Sequence, residues 1–295
     1  MRTQLDLLVQ ICLNGLAAGA KYSMVAVGYS LVFGVLRFIN FAHAASIAVG
    51  AYAYLTFTFY LKLPLLLAFF STLIVAGLFG WALEKIAYRP LRSSSPLAPL
   101  LTGIAIAILI ENLLALGFGP TPYRLNQSGE IRAIQILGRY SILSIHLYML
   151  LFAMMSAVAI QLGLRFTRLG CEIRATVENL ELAKVRGIDT DRVIAIVFVI
   201  GSVLAATAGI FIAYETQVYP QIGVAPSLKG FIAALAGGLG NIGGTMIAGV
   251  LLGLIENISI WQLPTVYKEA IALILLLTFL LLKPSGLFPN KWGRF

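Results

Sequence analysis

The chain has 295 residues, of which 60% are hydrophobic and only 11% charged. Soluble domains carry about 25% charged residues, so the composition excludes an ordinary water-soluble enzyme and points to a polytopic membrane protein. The net charge of +9 is spread over short loops rather than gathered on one face, which fits the positive-inside bias of membrane loops and not a nucleic-acid surface.

A helix needs about 20 apolar residues to cross a hydrocarbon core of roughly 30 Å. In chain order, 8–27, 42–60, 64–84, 97–117, 142–164, 191–213, 245–260 and 266–282 are the long apolar stretches, the seventh being short. Ala17, Ala18, Gly19 and Ala20 resemble a signal cleavage site, but hydrophobicity continues past them, so the first span is retained. The stretches 28–39 and 228–239 are apolar too, yet each makes only about 18 Å of helix. The expected fold is an all-α polytopic integral membrane protein, one transmembrane domain over 1–295. It has eight long transmembrane helices plus two short broken segments, hence eight to ten crossings.

Counting the short arms as crossings puts Arg2 at one end, and Lys283, Lys291 and Arg294 at the other, on the side of the polar loop 165–192. Leaving them out puts both ends outside. The ten-crossing arrangement is the expectation. The loop 118–141 must then be external although it carries Arg124, Arg132 and Arg139. Its Pro120, Pro122, Asn126, Ser128 and Gly129 read as turns, with some strand.

The longest polar interval is 170–193. Arg165, Arg168, Arg174, Lys184, Arg186 and Arg192 lie in or beside it, interleaved with Glu172, Glu178, Glu181, Asp189 and Asp191. One short helix is readable from Glu172 to Arg186, with Gly187 as a left-handed C-terminal cap. Ile173, Val177, Leu180 and Lys184 fall at helical spacing and offer only a narrow apolar edge. Such a helix does not belong in lipid and is too small to be a domain; it reads as a contact for another subunit.

Residues 28–50 and 228–253 share a layout: a short apolar arm, a break at Asn40 or Asn241, then a small-residue helix. Unwound backbone is tolerated in a membrane where protein or water meets it, so paired breaks point to a pathway. The alternative is close helix packing, already suggested by Gly15/Gly19 and Gly249/Gly253. Both readings stay open for Gly237, Gly238, Gly240, Gly243 and Gly244. His43 follows the first break and either bonds freed carbonyls or lines a path; His146 sits at a span edge. Glu111-Asn112 and Glu256-Asn257 are the deepest acidic positions, and Lys21 is long enough to snorkel. None of the eight lysines follows a glycine, so a phosphate-cradling Gly-Lys-Ser/Thr loop is absent. Cys12 and Cys171 have no partner signature for a disulfide or a metal.

Gly34 through His43 (GVLRFINFAH) resembles the N-terminal signature of LivH-type ABC permeases for branched-chain amino acids. Arg174-Ala175, Asn179, Ala183 and Gly187 through Val193 resemble that family's contact with its nucleotide-binding subunit. Lys229-Gly230-Phe231 and Gly237 through Asn241 are similar to its C-terminal signature. Ala44 and Ala45 stand where the family usually has glycine and an acid, and Gly243 where it usually has proline. The resemblance implies a membrane-spanning, bacterial inner-membrane subunit of an ATP-driven, binding-protein-dependent importer for branched-chain or other small amino acids. Urea and short amides are alternative cargo, and an ion-coupled secondary transporter is the rival class. It implies no catalysis and no cofactor in this chain, with Mg-ATP held by two separate ATP-binding subunits. A second, LivM-like permease and an extracytoplasmic solute-binding protein complete the expected assembly, without nucleic acid. Asn40, His43, Gly237, Gly238, Gly240 and Asn241 are the expected pathway residues. Arg174, Glu178, Asn179, Leu180, Ala183, Gly187 and Asp189 are the expected coupling residues.

Overall fold

The first apolar span and the arm that follows it form one helix, α1 (Arg2–Leu36, 35 residues), about 52 Å long. The computed structural model describes residues 2–92, 94–95, 97–125, 133–136, 140–261, 264–283 and 286–288. Residues 28–36 are therefore not a separate short segment, contrary to expectation. No proline interrupts 2–36, and the glycines inside it serve packing rather than breaking. A β-carbon at Gly15 would stand 3.0 Å from the Leu254 Cα, and one at Gly19 would stand 2.7 Å from the Val250 Cα. The small-residue stripes at Gly15/Gly19 and Gly249/Gly253 are thus the two halves of one antiparallel contact, which lets the backbones approach closely.

After α1 come α2 (His43–Leu55), prolonged by a wide turn over Thr56–Tyr60, and α3 (Leu65–Ala82), prolonged through Leu83–Tyr88 and Arg89–Leu91. Next are α4 (Leu97–Phe118) and an antiparallel hairpin, β1 (Ala133–Ile136) with β2 (Tyr140–Leu143), Ala133 opposite Leu143. Then follow α5 (Ser144–Phe166), α6 (Arg168–Glu178), α7 (Leu180–Val185), α8 (Thr190–Glu215), α9 (Val224–Gly237), α10 (Ile242–Ser259) and α11 (Lys268–Leu282). Among the described residues, six helices are long and apolar enough to cross a membrane: those covering Asp6–Leu36, Leu65–Leu91, Leu97–Phe118, Ser144–Phe166, Thr190–Glu215 and Ile242–Ser259. Of the eight expected stretches, 42–60 and 266–282 are not among these six: α2 has 13 residues of α-helix before its wide turn, and α11 has 15.

Neighbours set the direction of each helix. Ser46 meets Ser202, Gly50 meets Ala206 and Tyr54 meets Tyr214, so α2 and α8 are parallel. Gly80 packs on Phe198 and Ser202, while Arg89, further along the prolonged α3, reaches Asp191 at the start of α8, so α3 opposes α8. The described helices sort into α1, α3, α5, α9 and α11 running one way and α2, α4, α8 and α10 the other. One face holds the hairpin, joined to α1 by Gln10 donating to the Ser141 carbonyl (2.8 Å), and the Tyr123–Val218 bridge. The other holds α6, α7 and the arginine-rich end of α3, and by the positive-inside rule it is cytoplasmic. The start of α1 therefore lies on the hairpin side, whereas the ten-crossing arrangement would have put it inside. Asn126, Ser128, Gly129, Arg132, Arg139, Lys291 and Arg294 lie outside the described residues. The core is built on α1 and α8; seventeen residues of α8 are buried, so the other helices wrap this pair.

Candidate functional site

The two breaks and the cytoplasmic helices converge on the last two turns of α1. At the first break, α1 stops at Leu36 and Arg37 turns left-handed (φ 58°). That conformation is unfavourable for a residue with a β-carbon. Its amide donates to the Phe33 carbonyl (2.8 Å) and its guanidinium Nη2 to the Val177 carbonyl on α6 (3.3 Å). Asn40 is buried; its Oδ1 accepts from the Tyr88 hydroxyl at 2.6 Å and its carbonyl accepts from the His43 amide at 3.1 Å. His43 is 1% exposed, 4.6 Å from the Tyr29 ring, and seated against Gly28, where a β-carbon would lie 2.5 Å from the imidazole. Its Nε2 is buried without a partner.

At the second break, Gly238 (φ 100°) and Gly240 (φ 86°) take conformations that favour glycine. The Ala236 and Gly237 carbonyls accept from the amides of Leu287 (2.7 Å) and Phe288 (3.3 Å). The side chain of Asn241 caps α10 by accepting from the Gly244 amide (3.0 Å) and donates to the Phe288 carbonyl (2.9 Å). Gly240 donates its amide to Ser30 on α1 (2.9 Å). In this conformation the backbone freed by the break is met by the chain's own tail and by α1. An aromatic cluster knits the two breaks together: Phe231 lies 5.8 Å from both Tyr29 and Phe41, and Tyr29 shares a 2.6 Å hydrogen bond with Ser227.

The cytoplasmic segment is two helices rather than one rod over 172–186. Asn179 is extended (φ −155°, ψ 109°) and its Oδ1 accepts from the Leu182 amide at 2.9 Å, capping α7. An asparagine that caps in this way competes with helix continuation, and here the cap wins. Gly187 is left-handed (φ 81°), as its place after the helix predicts, and Asp189 caps α8 by accepting from the Arg192 amide at 3.1 Å. Arg174, Glu178, Asn179, Gly187 and Asp189 are exposed, whereas Ala183 is buried and Leu180 half-buried. Val177, Leu180 and Ile188 pack into the cluster that includes Leu36, Phe38 and Ile242. Gly34 carries the link: a β-carbon there would sit 3.7 Å from both Val177 on α6 and Gly240 in the second break.

Sequence reasoning missed the apolar residues that this knob leaves bare. Leu182 and Val185 are 52% and 83% exposed; the helical register appropriate to one rod hid them, because the break at Asn179 resets the phase. It also missed the ionic cluster beside the knob. Arg92 bonds Glu84, which is buried, and Asp191 (2.6 Å), while Arg89 also reaches Asp191. A cavity of about 680 Å³ opens there, lined by Trp81, Glu84, Lys85, Arg89, Asp191 and Arg192 among others. Lys21 does not snorkel freely: it pairs with Glu215, which also lies 3.0 Å from His146. Glu256 is held by Lys229 at 2.9 Å and Lys268 at 3.9 Å. Among the described residues no group of three or more His, Cys, Asp or Glu side chains is placed to hold a metal.

The family described as branched-chain amino acid transport system / permease component matches residues 11–280 of this chain. The high-affinity branched-chain amino acid transport system permease protein LivH of Salmonella typhimurium is 33% identical over 97% of this chain and 97% of its own length. The corresponding protein BraD of Pseudomonas aeruginosa is 33% identical over 95% of each chain. Among solved structures, PsaBC from Streptococcus pneumoniae in complex with Fab covers 92% of this chain and 91% of its own, with a TM-score of 0.50 at 14% identity, a likeness of fold.

Proposed function

Because the chain belongs to the branched-chain amino acid transport permease family, we propose that it forms one membrane half of an importer for branched-chain or other small amino acids, driven through α6 and α7. It is a multi-pass inner-membrane permease subunit of an ABC importer. The finer assignment gives it a second, LivM-like permease as partner, two subunits that hold and hydrolyse Mg-ATP, and a solute-binding protein on the hairpin face. Urea or short amides are the alternative cargo on the same scaffold.

The observation that carries the reading is the meeting at Gly34 of α6 and the second break, one turn from the first break. A push on α7 is passed by Val177 and Arg37 to the end of α1, and from there to Gly240 and to the Phe41–His43 turn. The segment is able to shift a gate because its two positions would meet closed and open ATPases with unequal affinity, which is the thermodynamic requirement. In this scheme Leu182 and Val185 fill the ATPase socket, Asn179, Gly187 and Asp189 set the knob's shape, and Leu180 and Ala183 anchor it. Arg174 and Glu178 flank the contact. Asn40, His43, Gly237, Gly238, Gly240 and Asn241 form the hinges of the pathway. An ion-coupled mechanism is disfavoured at Glu256, because Lys229 already holds it.

The test is ATP-driven uptake by the complete complex in liposomes. Changing Leu182 and Val185 together to glutamate is expected to cut uptake more than tenfold and to abolish stimulation of ATP hydrolysis by the binding protein. Uptake at the original rate would overturn the role of α7. Uptake driven by a proton gradient without ATP would overturn the importer reading.

A further inference from the structure

Two acids lie deep in the apolar spans, and the fold treats them differently. Glu256 is enclosed by Lys229 and Lys268 from its own chain. Glu111, on α4, makes no hydrogen bond or ion pair with any described residue. It is the fifteenth of the 22 residues of α4, about 10 Å from the nearer helix end. A glutamate is too short to snorkel that far, unlike a lysine. Asn112 beside it is exposed and donates its amide to the Ile108 carbonyl of its own helix at 2.7 Å, and no described residue bonds its oxygen.

Its apolar neighbours on that side of α4 are bare. Ile104 and Ile108 are 39% and 55% exposed, Leu109, Leu113 and Leu116 lie on the other flank of the helix, and only Pro99 and Gly103, near the cytoplasmic end, are buried. Lipid suits those isoleucines and does not suit a carboxylate, which costs several kcal/mol at this depth unless it meets a partner. A second copy of this chain joined about a two-fold axis through this face would bring Glu111 toward Glu111, like against like. A different chain is free to answer it with the opposite charge.

We propose that the outward face of α4, through Glu111 and Asn112, is the seam with the second, non-identical permease subunit, which presents a cationic side chain to Glu111. The inference rests on the importer reading and names the surface by which that assembly closes. Residues on α3 such as Ile74, 65% exposed, face lipid in this arrangement.

The experiment places a photo-crosslinking amino acid at Ile104 or Ile108, beside Glu111 on α4, and at Ile74 as the comparison, in the complete complex in membranes. The expected result is an adduct of the two different permease chains from both α4 positions and none from Ile74. No adduct from α4, or an adduct of two copies of this chain, would overturn the seam. Glu111→Gln keeps a hydrogen-bond acceptor and is expected to co-purify with the second permease. Glu111→Lys sets like charges together and is expected to lower co-purification at least tenfold; unchanged co-purification would contradict the cationic answer. ATP-driven uptake is measured on the same unsubstituted complex. Uptake without an α4 adduct sinks the seam and leaves the importer standing, whereas an α4 adduct without ATP-driven uptake supports the seam and sinks the importer.

Discussion

Lys229 and Glu256 lie 27 residues apart on different helices, and their side chains are only 11% and 3% exposed. Lys229 also approaches the Tyr22 hydroxyl at 3.3 Å, while Glu256 Oε2 is buried without a partner. Removing one member of such a pair strands the other charge, which costs about 3–5 kcal/mol. Lys229→Ala is therefore expected to lower the thermal midpoint of the detergent-purified protein sharply. The double change Lys229→Met with Glu256→Leu should restore most of that loss, and thermal unfolding of the three proteins side by side checks it. The depth of Glu256 was legible in the sequence because a carboxylate inside an apolar run is conspicuous. Its partner was not, because Lys229 sits in the arm that precedes the break and nothing local says which way it faces. Lys21 and Glu215, 194 residues apart, were unreadable as a pair for the same reason.

Among the elements, the cytoplasmic knob depends on Asn179, whose extended backbone ends α6 and whose side chain caps α7. Losing such a cap costs about 1 kcal/mol, and alanine also favours continuing the helix. Asn179→Ala is expected to fuse α6 and α7 and turn Leu182 and Val185 to a new azimuth. Uptake should then fall several-fold while the complex stays assembled and its basal ATP hydrolysis persists; paired uptake and hydrolysis assays on the same liposomes decide it. Polarity and charge singled this segment out, and Gly187, left-handed at φ 81°, marked its end. The interior break was hidden because an asparagine within a helical pattern is compatible with either outcome, and the packing of Ile173, Thr176 and Ala183 selects one. The second break shows the converse. Its glycines were legible as a discontinuity, but the groups that satisfy it, Leu287 and Phe288, come from beyond α11.

Across the whole molecule, the merger of the first span with its arm makes α1 a single traverse and puts its start opposite α6. In a chain with Cys12 changed to serine, a membrane-impermeant thiol reagent should label a cysteine at Leu7, which is 47% exposed, in intact cells. The exposed native Cys171 should react only after the membrane is opened. Labelling of position 7 from the cytoplasmic side alone would restore the ten-crossing arrangement. What the sequence by itself determined is the solvent in which this protein lives, the long apolar runs, the basic cytoplasmic side, the polar knob and the glycine stripes. Each of these follows from the hydrophobicity, charge or backbone freedom of residues close together in the chain. Only the tertiary structure decided which stripe meets which, which buried charge answers another, how the breaks are closed and which carboxylate is left facing outward. Those outcomes depend on contacts between helices far apart in sequence, where a change of helical phase or direction reassigns every neighbour.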